Sequence, residues 1–306
     1  MKVLVAVDSL NTLDILLDEI ADRSWPVGTE AQVLSIVDDG AVPLKVWREE
    51  GYGVSAVRRE MKRRGEQISA LAVERLREIG IPSRVVIMRG DPAYLISFAA
   101  RKWPADLIMI RAHNRTDFRN RLLGSVAKSV VESAPCSVEV VRKQNPTAIA
   151  REFRVLLATD GSAASVAASR AIAEMNLPED TEVRVVSAVN PIVYSLEELG
   201  LSGGTGTDQA HRAIGSAVHV LSGAPVKISA EVIAGRAARK IIERARQWGV
   251  DLIVLGTNER RGLSRLLFGS TSAAVANRAH CSVRVVRGHD GARTTANVFQ
   301  EARKVA

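Results

Sequence analysis

The chain contains the same strings twice, in the same order. KVLVAVDS near the start is matched by RVLLATDGS in the second half, and both apolar runs end in an aspartate, Asp8 and Asp160. Later, ADLIMIRAHN around Asp106 is matched by VDLIVLGTNE around Asp251. Because repeated sequence specifies repeated structure, the chain is predicted to contain two copies of one fold.

The spacing of the matches predicts the domain boundaries. The first matched pair has an offset of 152, whereas three later pairs share an offset of 145, so the first copy carries about seven extra residues before its fourth strand. Pro146 interrupts the segment that joins the copies. We predict domain 1 over residues 1–143, domain 2 over residues 152–288 and a polar C-terminal tail over residues 289–306. The three later pairs are Asp106 and Asp251, Gly124 and Gly269, and Cys136 and Cys281.

Each copy alternates short β-branched runs with longer helical segments, which is typical of βαβ units. The predicted fold class is α/β, with two tandem doubly wound domains. Each has a five-stranded parallel sheet in the order 3-2-1-4-5 with helices on both faces. The strands of copy one are predicted at 2–7, 31–37, 83–88, 106–110 and 137–141, and helices of copy two at 163–175, 207–221, 236–247 and 271–279.

Local signals mark several helix ends. Asp91 and Pro92 provide an N-cap and a first helical residue, and Gly80 closes a helix that begins near Val57. The glycine-rich stretch 200–206 is predicted to be a mobile loop before the helix at 207.

Ligands of doubly wound sheets bind at the carboxyl ends of the strands, where the strand order reverses. In the predicted order this point lies between the first and fourth strands, so Asp8 and Asp160 are candidate ligand residues. A carboxylate there accepts hydrogen bonds from an amine or a ribose hydroxyl. The alternative is that each aspartate only ends its strand and caps the next helix.

A second pair of candidates follows the fourth strand. Each copy has a Gly-Ser pair directly before a helix, Gly124-Ser125 and Gly269-Ser270. Glycine lets the backbone approach a phosphate, and a helix N-terminus offers unpaired N–H groups to an anion. Simple helix capping explains the same residues equally well.

These features together resemble the universal stress protein family. Its nucleotide-binding members carry G-x-x-G, nine residues and then G-[ST], after a strand similar to the DLIVLGTN of this chain. The resemblance implies that Asp8 and Asp160 contact adenine or its ribose and that Ile36 and Ala188 line the adenine slot. It also implies that the two Gly-Ser pairs hold the phosphates of ATP or another adenine nucleotide.

The chain departs from the family motif in both copies. Arg111 and Asn114 replace the two glycines of G-x-x-G in copy one, and Glu259 replaces the second glycine in copy two, where Gly256 remains. Copy two is therefore the better candidate site. The loops after these residues are rich in arginine, which either holds an anion or forms a solvated surface. Those arginines are Arg115, Arg119 and Arg121 in copy one and Arg260, Arg261 and Arg265 in copy two.

Other functions have little support in the sequence. The five histidines lack metal-ligand spacing, and no catalytic motif is present, so neither a metal site nor an enzyme is predicted. The net charge of +8 either attracts anions or only reflects solubility. The 4% aromatic content is low for a nucleic-acid stacking surface, and no specific nucleic-acid binding is predicted. We predict a cytoplasmic protein that binds or senses an adenine nucleotide in the stress response. A nucleotide-free scaffold or a weak ATPase are the alternatives.

Two further expectations concern the ends of the copies. Cys136 and Cys281 are interpreted as small buried hydrophobes that lead into a strand, not as a disulfide. The fifth strands, SVEVVR and SVRVVR, are edge strands. Similarity to the family implies that such edges pair, either inside the chain as a pseudo-dimer or between chains as a homodimer. No run of about 20 apolar residues, the length of a membrane span, occurs.

Overall fold

A computed structural model describes residues 1–38, 54–112, 122–142, 152–201, 205–257 and 269–288. The chain divides into two compact units, one formed mainly by residues 1–141 and the other mainly by the residues after them. We refer to them as domain 1 and domain 2 and describe each separately.

Domain 1 is a parallel sheet whose strand order is β3-β2-β1-β4-β5. Its described elements alternate along the chain as predicted for an α/β fold. They are β1 (Lys2–Val7), α1 (Leu10–Ala21), β2 (Glu30–Val37), α2 (Val54–Glu78), β3 (Ser83–Arg89), α3 (Pro92–Lys102), β4 (Leu107–Arg111), α4 (Ser125–Ser133) and β5 (Ser137–Val141).

Domain 2 repeats this arrangement, with the order β8-β7-β6-β9-β10 and parallel pairing throughout. Both domains therefore confirm the predicted order 3-2-1-4-5. The described elements are β6 (Arg154–Ala158), α5 (Ala163–Ala173), β7 (Glu182–Val189), α6 (Pro191–Glu198), α7 (Thr205–Leu221), β8 (Lys227–Ala234), α8 (Ala237–Trp248), β9 (Leu252–Thr257), α9 (Ser270–Arg278) and β10 (Ser282–Arg287).

Both faces of the central strands are buried. Successive side chains of a strand point to opposite faces of the sheet, and along these strands both sets are inaccessible to solvent. In β1, Val3 and Val5 pack in one cluster with residues of α1 and α2, yet Leu4, which points to the opposite face, is also fully buried. Helices on both faces of the sheet account for this pattern. Cys136 and Cys281 are both buried and are not joined in a disulfide, which agrees with their interpretation as small buried residues.

Most predicted element boundaries agree with the structure to within a few residues, and the differences have local causes. β4 begins at Leu107, and the side chain of Asp106, directly before the strand, accepts a hydrogen bond from Lys2 N at 2.7 Å. The helix predicted to begin near Val57 begins at Val54.

The largest difference lies after β7. α6 was not predicted from the sequence. Asn190 caps its N-terminus by accepting a hydrogen bond from Ile192 N at 2.9 Å. The stretch 200–206 is also wrong as a single loop, since Thr205 and Gly206 already belong to α7. Residues 202–204 lie outside the described residues.

Candidate functional site

A cleft of about 440 Å³ opens in domain 2 at the carboxyl ends of β6, β7 and β9. β6 and β9 are the first and fourth strands of the domain, so the cleft lies where the strand order reverses, as predicted. All five candidate residues of copy two line it: Asp160, Ala188, Gly256, Gly269 and Ser270.

Asp160 stands at the rim of the cleft, directly after β6, with its side chain exposed. Its Oδ1 atom accepts a hydrogen bond from Ser162 N at 3.0 Å. Partial desolvation raises the pKa of the carboxyl group, but hydrogen bonds donated by Ser162 and Ser165 outweigh it and hold the pKa below its usual value. The group is thus an ionised acceptor at neutral pH.

The turn after Asp160 depends on a glycine. Gly161 has a φ of +78°, a conformation that side-chain-bearing residues rarely adopt, and a Cβ atom there would lie 3.2 Å from Ala213 Cβ on α7. Ser162 then caps α5 by accepting a hydrogen bond from Ser165 N at 3.3 Å. The helix is therefore capped by Ser162 and not by Asp160, and a ligand-binding role of Asp160 stays a prediction.

Small hydroxyl side chains that were not predicted from the sequence also line the cleft. Thr159 Oγ1 donates to Ser165 Oγ at 3.1 Å and accepts from Gly161 N at 3.3 Å. Ser272 Oγ donates to the carbonyl oxygen of Gly256 at 2.9 Å. The sequence signal for them was the concentration of Ser and Thr residues around the ends of β6 and β9. These side chains are small and carry hydrogen-bonding hydroxyl groups.

The N-terminus of α9 faces the cleft without a capping side chain. Gly269 is the N-cap residue, with φ −54° and ψ 125°, and no side-chain hydrogen bond closes this turn. Ser270, Thr271 and Ser272 line the cleft from the first turn of the helix. Backbone N–H groups and the helix dipole therefore give this end of the cleft a preference for anions.

Gly256 has a structural role that the motif did not predict. A Cβ atom on Gly256 would lie 2.2 Å from the carbonyl oxygen of Ala164 and 2.7 Å from Ser165 N, both backbone atoms of α5. The glycine is thus required by the packing of α5 on β9, in addition to its place in the cleft wall. At Gly269 the nearest atoms to such a Cβ are 3.5 Å and 3.6 Å away, at ordinary contact distance.

Part of the cleft lining is apolar. It is walled by Ala158, Val186 and Ala188 from the strands and by Ala237 and Ile241 from α8. A flat apolar ring would be covered there, with Asp160 within the same cleft for its polar edge or its sugar.

A model of the Universal stress protein family matches residues 1–142 and again residues 153–287. The chain belongs to the universal stress protein family. The two matches confirm that the family domain occurs twice, in tandem.

Several universal stress proteins are similar to this one in sequence. One from Synechocystis is 27% identical over 222 residues, which are 72% of this chain and 71% of the relative. Another, from Methanocaldococcus jannaschii, is 31% identical over 138 residues, which are 44% of this chain and 81% of the relative. The second relative corresponds to about one of the two copies.

Solved structures of this family share the fold across the chain. The crystal structure of a universal stress protein from Archaeoglobus fulgidus matches with a TM-score of 0.64 at 19% identity, over 94% of this chain and 96% of that one. A putative universal stress protein from Pseudomonas aeruginosa gives a TM-score of 0.59 at 18% identity, over 94% and 92% of the two chains.

The universal stress protein domain of the first copy differs at the equivalent edge. Ser9 caps α1 directly after Asp8, so the glycine turn of domain 2 has no counterpart. Arg111 takes the position of Gly256 at the end of β4. Asp8 and Ser125 are exposed and Ile36 is half-buried, while Gly124 is the N-cap of α4 without a capping side chain.

Some candidate residues of both copies lie outside the described part of the chain. These are Asn114 and Glu259 at motif positions and the loop arginines Arg115, Arg119, Arg121, Arg260, Arg261 and Arg265.

The described residues include no group of three or more His, Cys, Asp or Glu side chains arranged to hold a metal ion. None of the described helices combines the length and the apolar character that crossing a membrane requires.

Proposed function

We propose that this universal stress protein binds an adenine nucleotide, ATP or a close relative, in the cleft of domain 2 without chemically converting it. The observation that carries the proposal is that one cleft joins an apolar wall, an ionised carboxylate and an uncapped helix N-terminus. These three features match the three parts of a nucleotide: the base, the sugar and the phosphates.

The apolar wall suits the adenine ring. Burying a planar base between Ala188, Val186 and Ile241 removes apolar surface from water, and the small alanine leaves room for the ring. Asp160 accepts hydrogen bonds from ribose hydroxyls or from the exocyclic amine, since its carboxyl group is ionised.

The N-terminus of α9 suits the phosphates. Its first-turn N–H groups and the hydroxyls of Ser270 and Thr271 are donors, and the missing side chain at Gly269 lets a phosphate approach the backbone. Asp160 is the only charged residue in the described lining.

Calorimetry with ATP on the full chain tests the proposal. We expect one strong site per chain, and we expect Asp160→Ala to weaken it by roughly 10- to 100-fold, the value of one or two hydrogen bonds to a charged group. Asp8→Ala is the matched control, because it makes the same change at the equivalent position of domain 1 and should leave this site unchanged.

Thermal unfolding provides an independent readout, since a ligand that binds only the folded state raises the melting temperature. No stabilisation at millimolar ATP would overturn the proposal and favour the scaffold alternative. Release of ADP by the wild-type chain but not by Ser270→Ala would instead favour the weak ATPase.

A further inference from the structure

β8 is the edge strand of domain 2. Among the described strands it pairs with β7 alone, along all eight of its residues from Lys227 to Ala234. Ser229 and Ala230, in its first half, are exposed. Proline, lysine or a bulge usually keeps such an edge from pairing with another strand. β8 has no proline, and its one lysine is its first residue. The edge is therefore open to a further strand.

The outward backbone groups of β8 belong to its even-numbered residues. Lys227 N donates to Thr181 O at 2.9 Å, and Gly235 N donates to Val189 O at 2.9 Å, so the odd-numbered residues direct their N–H and C=O groups at β7. These groups alternate in direction along a strand, so residues 228, 230, 232 and 234 direct theirs away from β7. A further strand must hydrogen-bond to these residues.

The charges of β8 select one register for a second copy of the same strand. When a twofold axis passes through Ser229, Ile228 lies opposite Ala230, and both have outward backbone groups. Lys227 then lies opposite Glu231, twice by symmetry. An axis at 227 or 231 would put like charges opposite each other, and an axis at 228 or 230 would put both charges opposite uncharged residues. The strand is thus complementary to itself about Ser229.

The charged side chains on this face are already ordered by neighbours in domain 2. Lys227 Nζ lies 3.0 Å from Glu152 Oε1 and 3.1 Å from Asp180 Oδ1, yet its side chain remains 55% exposed. Glu231 Oε1 lies 2.9 Å from Arg244 Nε. Arg184 Nε donates to Ser229 Oγ at 3.4 Å. Three cations and three carboxylates thus surround the axis on each copy, so pairing brings together surfaces without net charge: Lys227, Arg184, Arg244, Glu152, Asp180 and Glu231.

The other face of β8 is apolar. Val226 and Ile228 are half-buried and pack against the core cluster of domain 2, and Val232 is half-buried as well. With the axis at Ser229, Val226 lies opposite Val232 and Ile228 lies opposite Ala230. Pairing therefore removes apolar surface from water and extends the core of domain 2 into that of a second copy.

The corresponding edge of domain 1 lacks this pattern. Pro82 takes the place of Lys227, at the offset of 145 that relates the two copies. β3 carries two arginines, Arg84 and Arg89, and no acidic residue. Two β3 strands would form no ion pair with each other. Self-complementarity thus belongs to the edge strand of domain 2.

We propose that two copies of the protein associate through β8, antiparallel about a twofold axis at Ser229. The sheets of the two second domains then become continuous across the contact. Each copy contributes the same surface, so the contact closes on itself and the product is a dimer.

Sedimentation equilibrium of the full chain tests the proposal. We expect the wild type to dimerise in the micromolar range, and Lys227→Glu or Glu231→Lys to weaken dimerisation roughly tenfold or more, because each reversal turns two symmetry-related attractions into repulsions. An equimolar mixture of the two variants should associate again, since each supplies the charge that the other needs. Arg84→Glu is the matched control: it reverses a charge on the edge strand of domain 1 and should leave dimerisation unchanged.

Three results would overturn the proposal. The first is a wild-type chain that remains monomeric up to millimolar concentration. The second is a dimer that both reversals leave intact, because association would then use another surface. The third is a mixture of the two variants that stays dissociated, because Lys227 and Glu231 would then not lie opposite each other.

Amide hydrogen exchange provides a readout without any substitution. The amides of Ile228 and Ala230 should become protected as the protein concentration rises, whereas those of Ser229 and Glu231, which face β7, should be protected throughout. Ala230→Pro removes one outward donor and leaves the bonds to β7 in place, so it should abolish the dimer and the protection of Ile228. Exchange of Ile228 and Ala230 that does not depend on concentration would contradict the pairing.

Discussion

Gly256 and Gly269 belong to the same family motif, but the space around the two glycines differs. At Gly256, backbone atoms of Ala164 and Ser165 occupy the space that a side chain would need. At Gly269 the surroundings are open to a methyl group and the φ of −54° suits any residue. The first glycine is therefore a packing requirement, and the second affects mainly what approaches the helix end.

Replacing the two glycines by alanine separates these roles. Gly256→Ala is expected to destabilise the protein by about 1 to 3 kcal/mol, because backbone must move to admit the methyl group. Gly269→Ala should cost at most about 1 kcal/mol, the difference between these residues at an N-cap, but should weaken ATP binding. Urea denaturation measures the free energy of unfolding of both variants, and equal losses of stability would contradict the different roles assigned to the two glycines.

At the scale of single elements, α6 is a short helix that packs against α7. Glu197 and Val193 meet the first turn of α7, where Gly206 permits the close approach. Most helices of this length depend on tertiary packing, because isolated short helices are unstable in water. The position of α6 thus depends on a glycine in a different helix.

Gly206→Ala should release α6 from α7, since its Cβ atom would lie 2.6 Å from the branched side chain of Val193. We expect faster amide hydrogen exchange across residues 191–199, with little change elsewhere. Gly215→Ala is the matched control in the same helix: nothing lies within 4 Å, so exchange in α6 should not change. Unchanged protection of α6 in Gly206→Ala would show that the helix adjusts without undocking.

At the scale of the whole molecule, the two copies make matching side-chain contacts at the amino ends of their sheets. Asp106 Oδ2 accepts from Lys2 N at 2.7 Å, and Asp251 Oδ2 accepts from Arg154 N at 2.8 Å. Each copy also places a cation 5.8 Å from a tryptophan ring centroid, Lys2 over Trp103 and Arg154 over Trp248. The copies differ instead at the carboxyl ends, where the cleft of domain 2 lies.

The matched aspartates should therefore contribute to stability in both domains and not to ligand binding. Asp106→Ala and Asp251→Ala are each expected to lower the free energy of unfolding by about 1 to 3 kcal/mol, since each leaves a backbone N–H without its charged acceptor. The asparagine variants should recover part of the loss. Calorimetry measures this, and weaker ATP binding in folded Asp251→Ala would contradict a purely structural role.

The sequence alone determined the duplication, the strand order and the end of the sheet that carries the cleft. These follow from local patterns: apolar runs long enough for strands buried on both faces, and offsets that align Asp106 with Asp251. The family resemblance also grouped Asp160, Gly269 and Ser270, and all three line the same cleft, because the carboxyl ends of neighbouring parallel strands meet at one edge.

Only the tertiary structure decided which contacts those residues make. Glu139 is fully buried on β5, and its Oε1 atom lies 2.8 Å from Nη1 of Arg23, which is far away in sequence. The clash that requires Gly256 involves α5, and the hydroxyl of Thr159 reaches Ser165 only because Gly161 turns the chain. Periodicity reports which face of an element is apolar, but distances between elements depend on how their side chains pack.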